Sequence, residues 1–156
     1  MSQVSLYSMA GLPIACFTPA RAAEHVIGVN SEAHVGLAVH FITAHTISVI
    51  EGNPDLRRVL TSGDLLLPDS RWLELLSGIR RRKLTQVRGP DFFRRVLSDQ
   101  ASNKDGHFFI APNIDVTNAL MRTLERDYPE LVVAGVYVAP HRPLITDEVT
   151  CFGGRD

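Results

Sequence analysis

The chain has 156 residues, of which 45% are hydrophobic and 21% charged, and its formal net charge is −1. This length suffices for one domain with a substantial core, and the composition is that of an ordinary globular protein. The balanced charge gives no indication of nucleic-acid binding, and two cysteines far apart in sequence exclude a disulfide framework and a cysteine-based zinc site. No apolar run reaches the roughly 18 residues of a membrane span, and the first residues lack the pattern of a signal peptide, so we expect a cytoplasmic location.

The spacing of apolar residues predicts four helices, in residues 18–28, 53–63, 89–97 and about 115–127. In the first two, Thr18 or Asn53 takes the N-cap position and a proline follows at the first helical position. Gly28 and Gly63 are the expected stops. The residues expected to face the core are Ala22, Ala23, Val26, Ile27, Leu56, Val59, Leu60, Phe92, Phe93, Val96, Leu97, Val116, Leu120 and Leu124.

Four apolar runs of strand length alternate with these helices, in residues 36–42, 64–68, 107–111 and 131–138. This alternation predicts βαβ crossovers and a mostly parallel sheet with helices on both faces. We therefore predict a Rossmann-like α/β fold, as a single domain over residues 1–156. Ligands of such sheets bind outside the carboxyl ends of the strands, which makes polar residues there the first candidates for a site.

An acid and a hydroxyl, Asp69 and Ser70, lie where strand 64–68 ends and a helical pattern begins. In the structural interpretation, Asp69 is the N-cap of the following helix and accepts backbone N–H bonds. In the chemical interpretation, Asp69 is a general base that takes a proton from an acceptor hydroxyl. An aspartate with the ordinary pKa of about 3.9 is ionised at neutral pH but is a weak base. To act as an effective base it must be desolvated and oriented towards the hydroxyl. The spacing leaves both interpretations open.

A hydroxyl and an imidazole, Thr43 and His45, follow strand 36–42 in the same way. They could orient a sugar or a phosphate by hydrogen bonds, or they could simply begin a turn. The six histidines show no metal-ligand spacing, so we predict no structural metal.

Basic residues are concentrated between Arg71 and Arg95, where the sequence contains eight basic residues and only two acidic ones. The run Arg80, Arg81, Arg82 and Lys83 is either a solvated loop or a patch for anions or a membrane surface. Arg88 precedes a Gly-Pro helix start and is a candidate phosphate clamp. The sequence contains no GxGxxG after the first strand, no GxxxxGK[ST] and no GxSxG, which argues against dinucleotide oxidoreductases, P-loop NTPases and α/β-hydrolases.

Seven segments in a fixed order carry a family resemblance: GLPI (11–14), TPARAAEHVIG (18–28), HFITAH (40–45), GDLLLPDS (63–70), VRGPD (87–91), HFFIAPNIDVTNALMRTL (107–124) and YPELVVAG (128–135). Together they resemble the WecG/TagA/CpsF family of glycosyltransferases (glycosyltransferase family 26). The resemblance implies an inverting, metal-independent transfer of an N-acetylmannosamine-type sugar from a UDP donor, without a cofactor. The implied acceptor is a polyprenyl-diphosphate-linked sugar at the cytoplasmic face of the membrane, in cell-wall or polysaccharide assembly.

The resemblance also assigns roles to residues. It implies Asp69, in the PDG motif, as the base and Thr43, in the T-x-N motif, as a residue that positions substrate. The expected substrate-binding residues are His45, Ser70, Arg88, Asp91 and Asn113.

The sequence departs from the family pattern in three places. T-x-N reads Thr43-Ala44-His45, PDG reads Pro68-Asp69-Ser70, and a Gly-Gly turn is replaced by 111–113, where Pro112 has no N–H to offer a diphosphate and Asn113 is an alternative contact. We also expect the chain to lack the family's C-terminal strands and appendage.

Three hypotheses follow. The first is a glycosyltransferase domain, peripheral at the inner membrane face. The second is a non-catalytic remnant or nucleotide-sugar-binding module of the same fold, and the third is a flavodoxin-like nucleotide-binding regulator. The donor sugar, the acceptor and homo-oligomer formation stay open.

Overall fold

The computed structural model describes residues 4–33, 36–79, 84–99 and 106–140, and it has the predicted α/β class. The strands within these ranges are β1 Leu6–Met9, β2 Leu12–Ala15, β3 Val39–Ile42, β4 Leu65–Pro68, β5 His107–Ala111 and β6 Val133–Val138. The helices are α1 Pro19–Ala33, α2 Ala44–Ile50, α3 Pro54–Thr61, α4 Arg71–Gly78, α5 Gly89–Ser98 and α6 Ile114–Asp127. In the part of the chain that is described, no helix has the length and apolar character needed to cross a membrane.

The chain divides into two compact units, Met1–Val96 and Leu97–Asp156. The first contains a four-stranded sheet in the order β1-β2-β4-β3, in which β2, β4 and β3 run parallel and β1 pairs antiparallel to β2 at the edge. The second contains the parallel pair β5-β6. Strands are thus mostly parallel, as predicted, and the single domain over residues 1–156 stays a prediction.

Strand β4 is the centre of the first unit, and its side chains alternate between two hydrophobic clusters. Leu66 lies in one cluster with Tyr7, Leu12, Ile14, Ile42, Ile50, Leu60, Leu73 and Leu84. Leu65 and Leu67 lie in the other with Ala15, Ala22, Ala23, Val87 and Phe92. Helices α2, α3 and α4 therefore cover one face of the sheet, and α1 and α5 cover the other. Burial on both faces explains why β4 is a continuous apolar run.

The sequence did not predict the hairpin formed by β1 and β2. Its two-residue turn is Ala10-Gly11, and both residues have positive φ, +50° and +79°. Positive φ at both central positions is the requirement of a type I′ turn, whose twist matches that of the paired strands. Arg57 donates to the carbonyl oxygen of Ala10 over 2.8 Å and holds the turn against α3.

We expect Ala10→Asn to stabilise the protein, because asparagine tolerates the left-handed conformation that costs an alanine about 1 kcal/mol or more. The free energy of unfolding, measured by urea denaturation, should rise by about 0.5–1 kcal/mol. The matched control is Ala119→Asn on the exposed side of α6, which should lower it by about 0.5 kcal/mol through helix propensity. A loss of stability in both variants would contradict the turn assignment.

Several helix details differ from the predictions. Helix α1 continues through Gly28 to Ala33, because Gly28 does not take the positive φ of a C-terminal stop. Val59, Phe93 and Val116 are exposed rather than inward, since each helix buries a narrower stripe than the spacing indicated. Asn53 caps α3 as predicted, accepting from the backbone N–H of Leu56 over 2.9 Å.

Candidate functional site

The carboxyl ends of the three parallel strands of the first unit meet at one edge of its sheet. Asp69 follows the central strand β4, and Thr43 follows its neighbour β3. The register pairs Ile42 with Pro68, and the backbone N–H of Asp69 donates to the carbonyl oxygen of Ile42 over 2.8 Å. The two candidate residues therefore come directly after paired strand ends, and they lie beside each other at the edge where α/β proteins bind ligands.

One oxygen of the Asp69 carboxylate is held by the start of helix α5. The backbone N–H of Gly89 donates to Oδ2 over 3.1 Å, and a Cβ at Gly89 would lie only 3.3 Å from that oxygen. Next to it, the N–H of Val87 donates to the carbonyl oxygen of Pro68 over 2.7 Å. The other carboxylate oxygen, Oδ1, has no donor among the described residues, and the side chain is half-buried rather than enclosed.

This contact revises the structural interpretation of Asp69. The N-cap of α4 is Ser70, whose side chain makes no capping hydrogen bond. Asp69 instead binds the first residue of α5, twenty positions further along the chain. The hydrogen bond from Gly89 therefore ties Asp69 to the start of α5 and fixes the orientation of its side chain.

Thr43 has a well-defined structural role. It is the N-cap of α2 and forms a capping box with Thr46. The N–H of Thr46 donates to Thr43 Oγ1 over 3.1 Å, the N–H of Thr43 donates to Thr46 Oγ1 over 3.2 Å, and the two hydroxyls are 3.0 Å apart. Thr43 therefore begins a helix rather than a turn. When Thr46 supplies the proton between the hydroxyls, the proton of Thr43 remains available to a ligand.

His45 is the second residue of α2 and is exposed. It lies one helical position beyond Ala44, close to the strand edge that carries Thr43. The structure thus brings His45, Thr43 and Asp69 to the same end of the sheet.

Arg88 immediately precedes α5, and its carbonyl oxygen accepts the N–H of Phe92 over 2.9 Å. Arg88 is thus the residue directly before Gly89, whose N–H binds Asp69. The guanidinium of Arg88 is exposed and lies 3.6 Å from the carboxylate of Asp91, which is also 3.7 Å from Arg94. Exposed pairs of this kind contribute little to stability, so Arg88 can exchange Asp91 for a phosphate at small cost.

An apolar cleft of about 410 Å³ opens on the α2–α4 side of the same unit. Its lining consists of Tyr7, Ser8, Met9, Ala10, Ala44, Ile47, Leu73, Leu76 and Ile79. Ala44 follows Thr43 directly, so the cleft adjoins the strand edge. Its walls are apolar except for one serine and one tyrosine hydroxyl. This cleft could not be predicted from the sequence, because one wall is the unpredicted β1-β2 hairpin.

The family model of the glycosyl transferase WecG/TagA/CpsF family matches residues 7–150, nearly the whole chain. The chain belongs to this family. No curated protein matches the chain in a sequence comparison. Membership makes this protein a glycosyltransferase of polysaccharide biosynthesis, and it implies a sugar-nucleotide donor and a lipid-linked acceptor as the general substrates.

Two further candidates from the sequence of this WecG/TagA/CpsF protein are Asn113, which belongs to the second unit, and the basic run 80–83. Asn113 is the N-cap of α6, where its Oδ1 accepts the N–H of Val116 over 2.9 Å. Its amide oxygen is therefore engaged in capping, and its NH₂ group is the part left for a ligand. The basic run 80–83 falls outside the described residues.

A cluster of three or more metal-ligating side chains is not found among the described residues of the glycosyltransferase. The groups assembled at the strand edge are a carboxylate, hydroxyls, an imidazole and an arginine. This set suits hydrogen bonding to sugar hydroxyls and ion pairing with phosphates.

Proposed function

We propose that this glycosyltransferase moves an N-acetylmannosamine-type sugar from a UDP donor to a polyprenyl-diphosphate-linked acceptor, with inversion and without a metal ion. The product would enter cell-wall or exopolysaccharide synthesis, and the protein would work at the inner face of the membrane.

The observation that carries the proposal is the arrangement around Asp69. One of its oxygens accepts the N–H of Gly89, the other has no donor among the described residues, and Thr43 follows the end of the neighbouring strand. A general base needs this combination, a held side chain with a free lone pair within reach of the hydroxyl it deprotonates. Asp69 would take the proton of the acceptor hydroxyl as its oxygen attacks the anomeric carbon. The bond from that carbon to the diphosphate oxygen breaks on the opposite side, and UDP leaves with the bonding electrons.

The departing diphosphate gains negative charge, which cationic groups can stabilise. Arg88 and the N-terminus of α5, which binds Asp69 through Gly89, are the groups that would stabilise this charge. Asp91 would pair with Arg88 until the phosphate replaces it, and the basic run 80–83 would add attraction for phosphates. Charge neutralisation by these side chains is the basis for proposing a metal-independent reaction.

The remaining candidates would bind the sugar and the nucleotide. Thr43 and His45 lie beside Asp69 and would hydrogen-bond sugar hydroxyls, and Ser70 has a hydroxyl that is not used for capping. Asn113 would contribute to donor binding through its NH₂ group. The apolar cleft that begins at Ala44 supports an acceptor with an apolar portion.

A second candidate function is a module that binds nucleotide sugars without turnover. Pro112 argues for loss of turnover, since a proline in place of a glycine removes a backbone donor that would stabilise the departing diphosphate. An assay of sugar transfer distinguishes the two functions, and a measurement of nucleotide binding tests both of them.

The test is calorimetric titration with UDP, followed by an assay of UDP release from UDP-N-acetylmannosamine in the presence of a polyprenyl-diphosphate-linked acceptor. We expect Arg88→Gln to weaken UDP binding about tenfold, the value of one charge-assisted hydrogen bond. Arg122→Gln, an exposed arginine of α6, is the matched control and should bind like the parent protein. Binding without sugar transfer would favour the binding module, and no binding of UDP would overturn both candidates.

A further inference from the structure

Helix α4 has a second apolar face that is turned to solvent. Leu73 and Ser77 face the core and are 1% and 0% exposed. The outward stripe, by contrast, consists of three large apolar side chains of α4 and of Ile79, which directly follows the helix: Trp72 is 66% exposed, Leu75 51%, Leu76 51% and Ile79 79%.

The spacing of this outward stripe is i, i+3, i+4, i+7, the pattern of a continuous face along a helix. A face of this kind normally packs against the core, yet here the core contacts are made by a different side of the same helix. Single exposed apolar residues are common on protein surfaces, whereas a contiguous row of four, including a tryptophan, marks a binding surface. The outward stripe therefore requires a partner.

The chemistry around the stripe identifies the kind of partner. The sequence continues from Ile79 with four consecutive basic residues, 80–83, and Arg71 precedes Trp72. Large apolar side chains, a tryptophan and adjacent cations form the combination that binds a bilayer with anionic headgroups: the apolar groups enter the interface, and the cations attract the lipids.

We propose that the outward stripe of α4 docks the protein on an anionic lipid bilayer. The purpose of docking rests on the proposed function, because a lipid-linked acceptor is available only at a membrane. Leu76 and Ile79 also line the apolar cleft that adjoins Thr43. Docking through this stripe would thus bring the cleft and the strand edge to the surface of the bilayer.

A second copy of the chain is a less suitable partner. Most dimers are twofold symmetric, so the outward stripe of one copy would face the same stripe of the other. The basic residues next to each stripe would meet no opposite charge in the apolar stripe of the other copy, whereas an anionic surface attracts them. The positive charge next to the stripe therefore favours an anionic bilayer over a second copy as the partner.

The experiment uses Trp72, the single tryptophan of the chain, as its own reporter. Vesicles of phosphatidylcholine with 30% phosphatidylglycerol should shift its fluorescence to the blue, and brominated lipids in the same vesicles should quench it. Raising the salt concentration from 0.1 to 0.5 M should weaken binding, since the Debye length shrinks from about 10 Å towards 4 Å. An unchanged spectrum with these vesicles would overturn the proposal.

The double variant Leu75→Glu/Ile79→Glu should reduce co-sedimentation with the anionic vesicles at least tenfold. The matched control is Val59→Glu on α3, an equally apolar side chain that is 55% exposed outside the stripe, and it should bind like the parent protein. Equal losses in both variants would overturn the proposal. A dimer, seen by analytical ultracentrifugation, that only the double variant dissociates would assign the stripe to a second copy instead.

The same vesicles separate this inference from the proposed function. Asp69→Asn should bind them as tightly as the parent protein, since Asp69 is outside the stripe. Vesicle binding by a parent protein that transfers no sugar would leave the docking surface intact and remove the transferase. Sugar transfer by a parent protein that does not bind vesicles would support the transferase and overturn the docking surface.

Discussion

Replacing Asp69 with asparagine should reduce sugar transfer at least a hundredfold, the lower end of what a general base contributes. An amide has no lone pair basic enough to take the acceptor proton. The substitution keeps the size of the side chain, and the amide oxygen can still accept the N–H of Gly89 that Asp69 Oδ2 accepts at 3.1 Å. The position of α5 should therefore be preserved, and the loss should appear in kcat rather than in UDP affinity.

The measurements that check this are the rate of UDP release with donor and acceptor both present, UDP affinity by calorimetry, and urea denaturation. Asp115→Asn, an exposed carboxylate in the first turn of α6, is the matched control and should transfer sugar at the parent rate. Undiminished transfer by Asp69→Asn would end the assignment of the base. A loss of both transfer and UDP affinity would show instead that Asp69 serves to hold α5.

The parts of the fold that the sequence predicted well are those fixed by local chemistry. Strand β5 was predicted with its observed limits, and β4 within one residue, because both are short apolar runs bounded by polar residues. Helix α3 begins where the Asn53-Pro54 pair predicted, since capping and a fixed proline φ act on neighbouring residues. Local signals of this kind need no knowledge of the rest of the chain.

The parts that could not be predicted depend on contacts between distant residues. Gly63 looked like a helix stop, but its φ is not positive, and a side chain there would collide with the ring of His40. The β1-β2 turn uses an alanine at positive φ, a position at which asparagine or glycine is typical. Helix α2 was not predicted, and its start is defined by the hydroxyls of Thr43 and Thr46 rather than by a recognisable apolar stripe.

The candidate site was predictable in position but not in detail. Thr43 and Asp69 were identified because parallel strands bring their carboxyl ends to one edge, whichever way the strands are ordered. The bond from Gly89 to Asp69 spans twenty residues and left only a weak signal, a glycine at the start of a helix. That glycine is explained by the close approach of the carboxylate, which a Cβ would crowd.

Strand β4 carries Asp69, so the site depends on the packing beneath it. Leu67 is fully buried between the sheet and the helices α1 and α5, two residues before the carboxylate. Leu67→Ala should lower the free energy of unfolding by about 2–5 kcal/mol, because it removes a buried side chain and leaves a cavity. Since domains of this size are stable by about 5–15 kcal/mol, this single substitution should remove a large part of the total.

The same substitution at Leu75, which is half-exposed on α4, provides the control. Leu75→Ala should change the free energy of unfolding by less than about 0.5 kcal/mol, since alanine is the better helix former and no cavity results. Urea denaturation of the two variants compares a side chain of the packed interior with one on the exposed side of α4. If Leu75→Ala were as destabilising as Leu67→Ala, the side chain of Leu75 would be part of the packed interior, and the outward stripe would lose its central residue as a docking surface. A large difference between the two would show that Leu67 belongs to the packed interior beneath Asp69, whereas the apolar row of α4 contributes little to the stability of the fold.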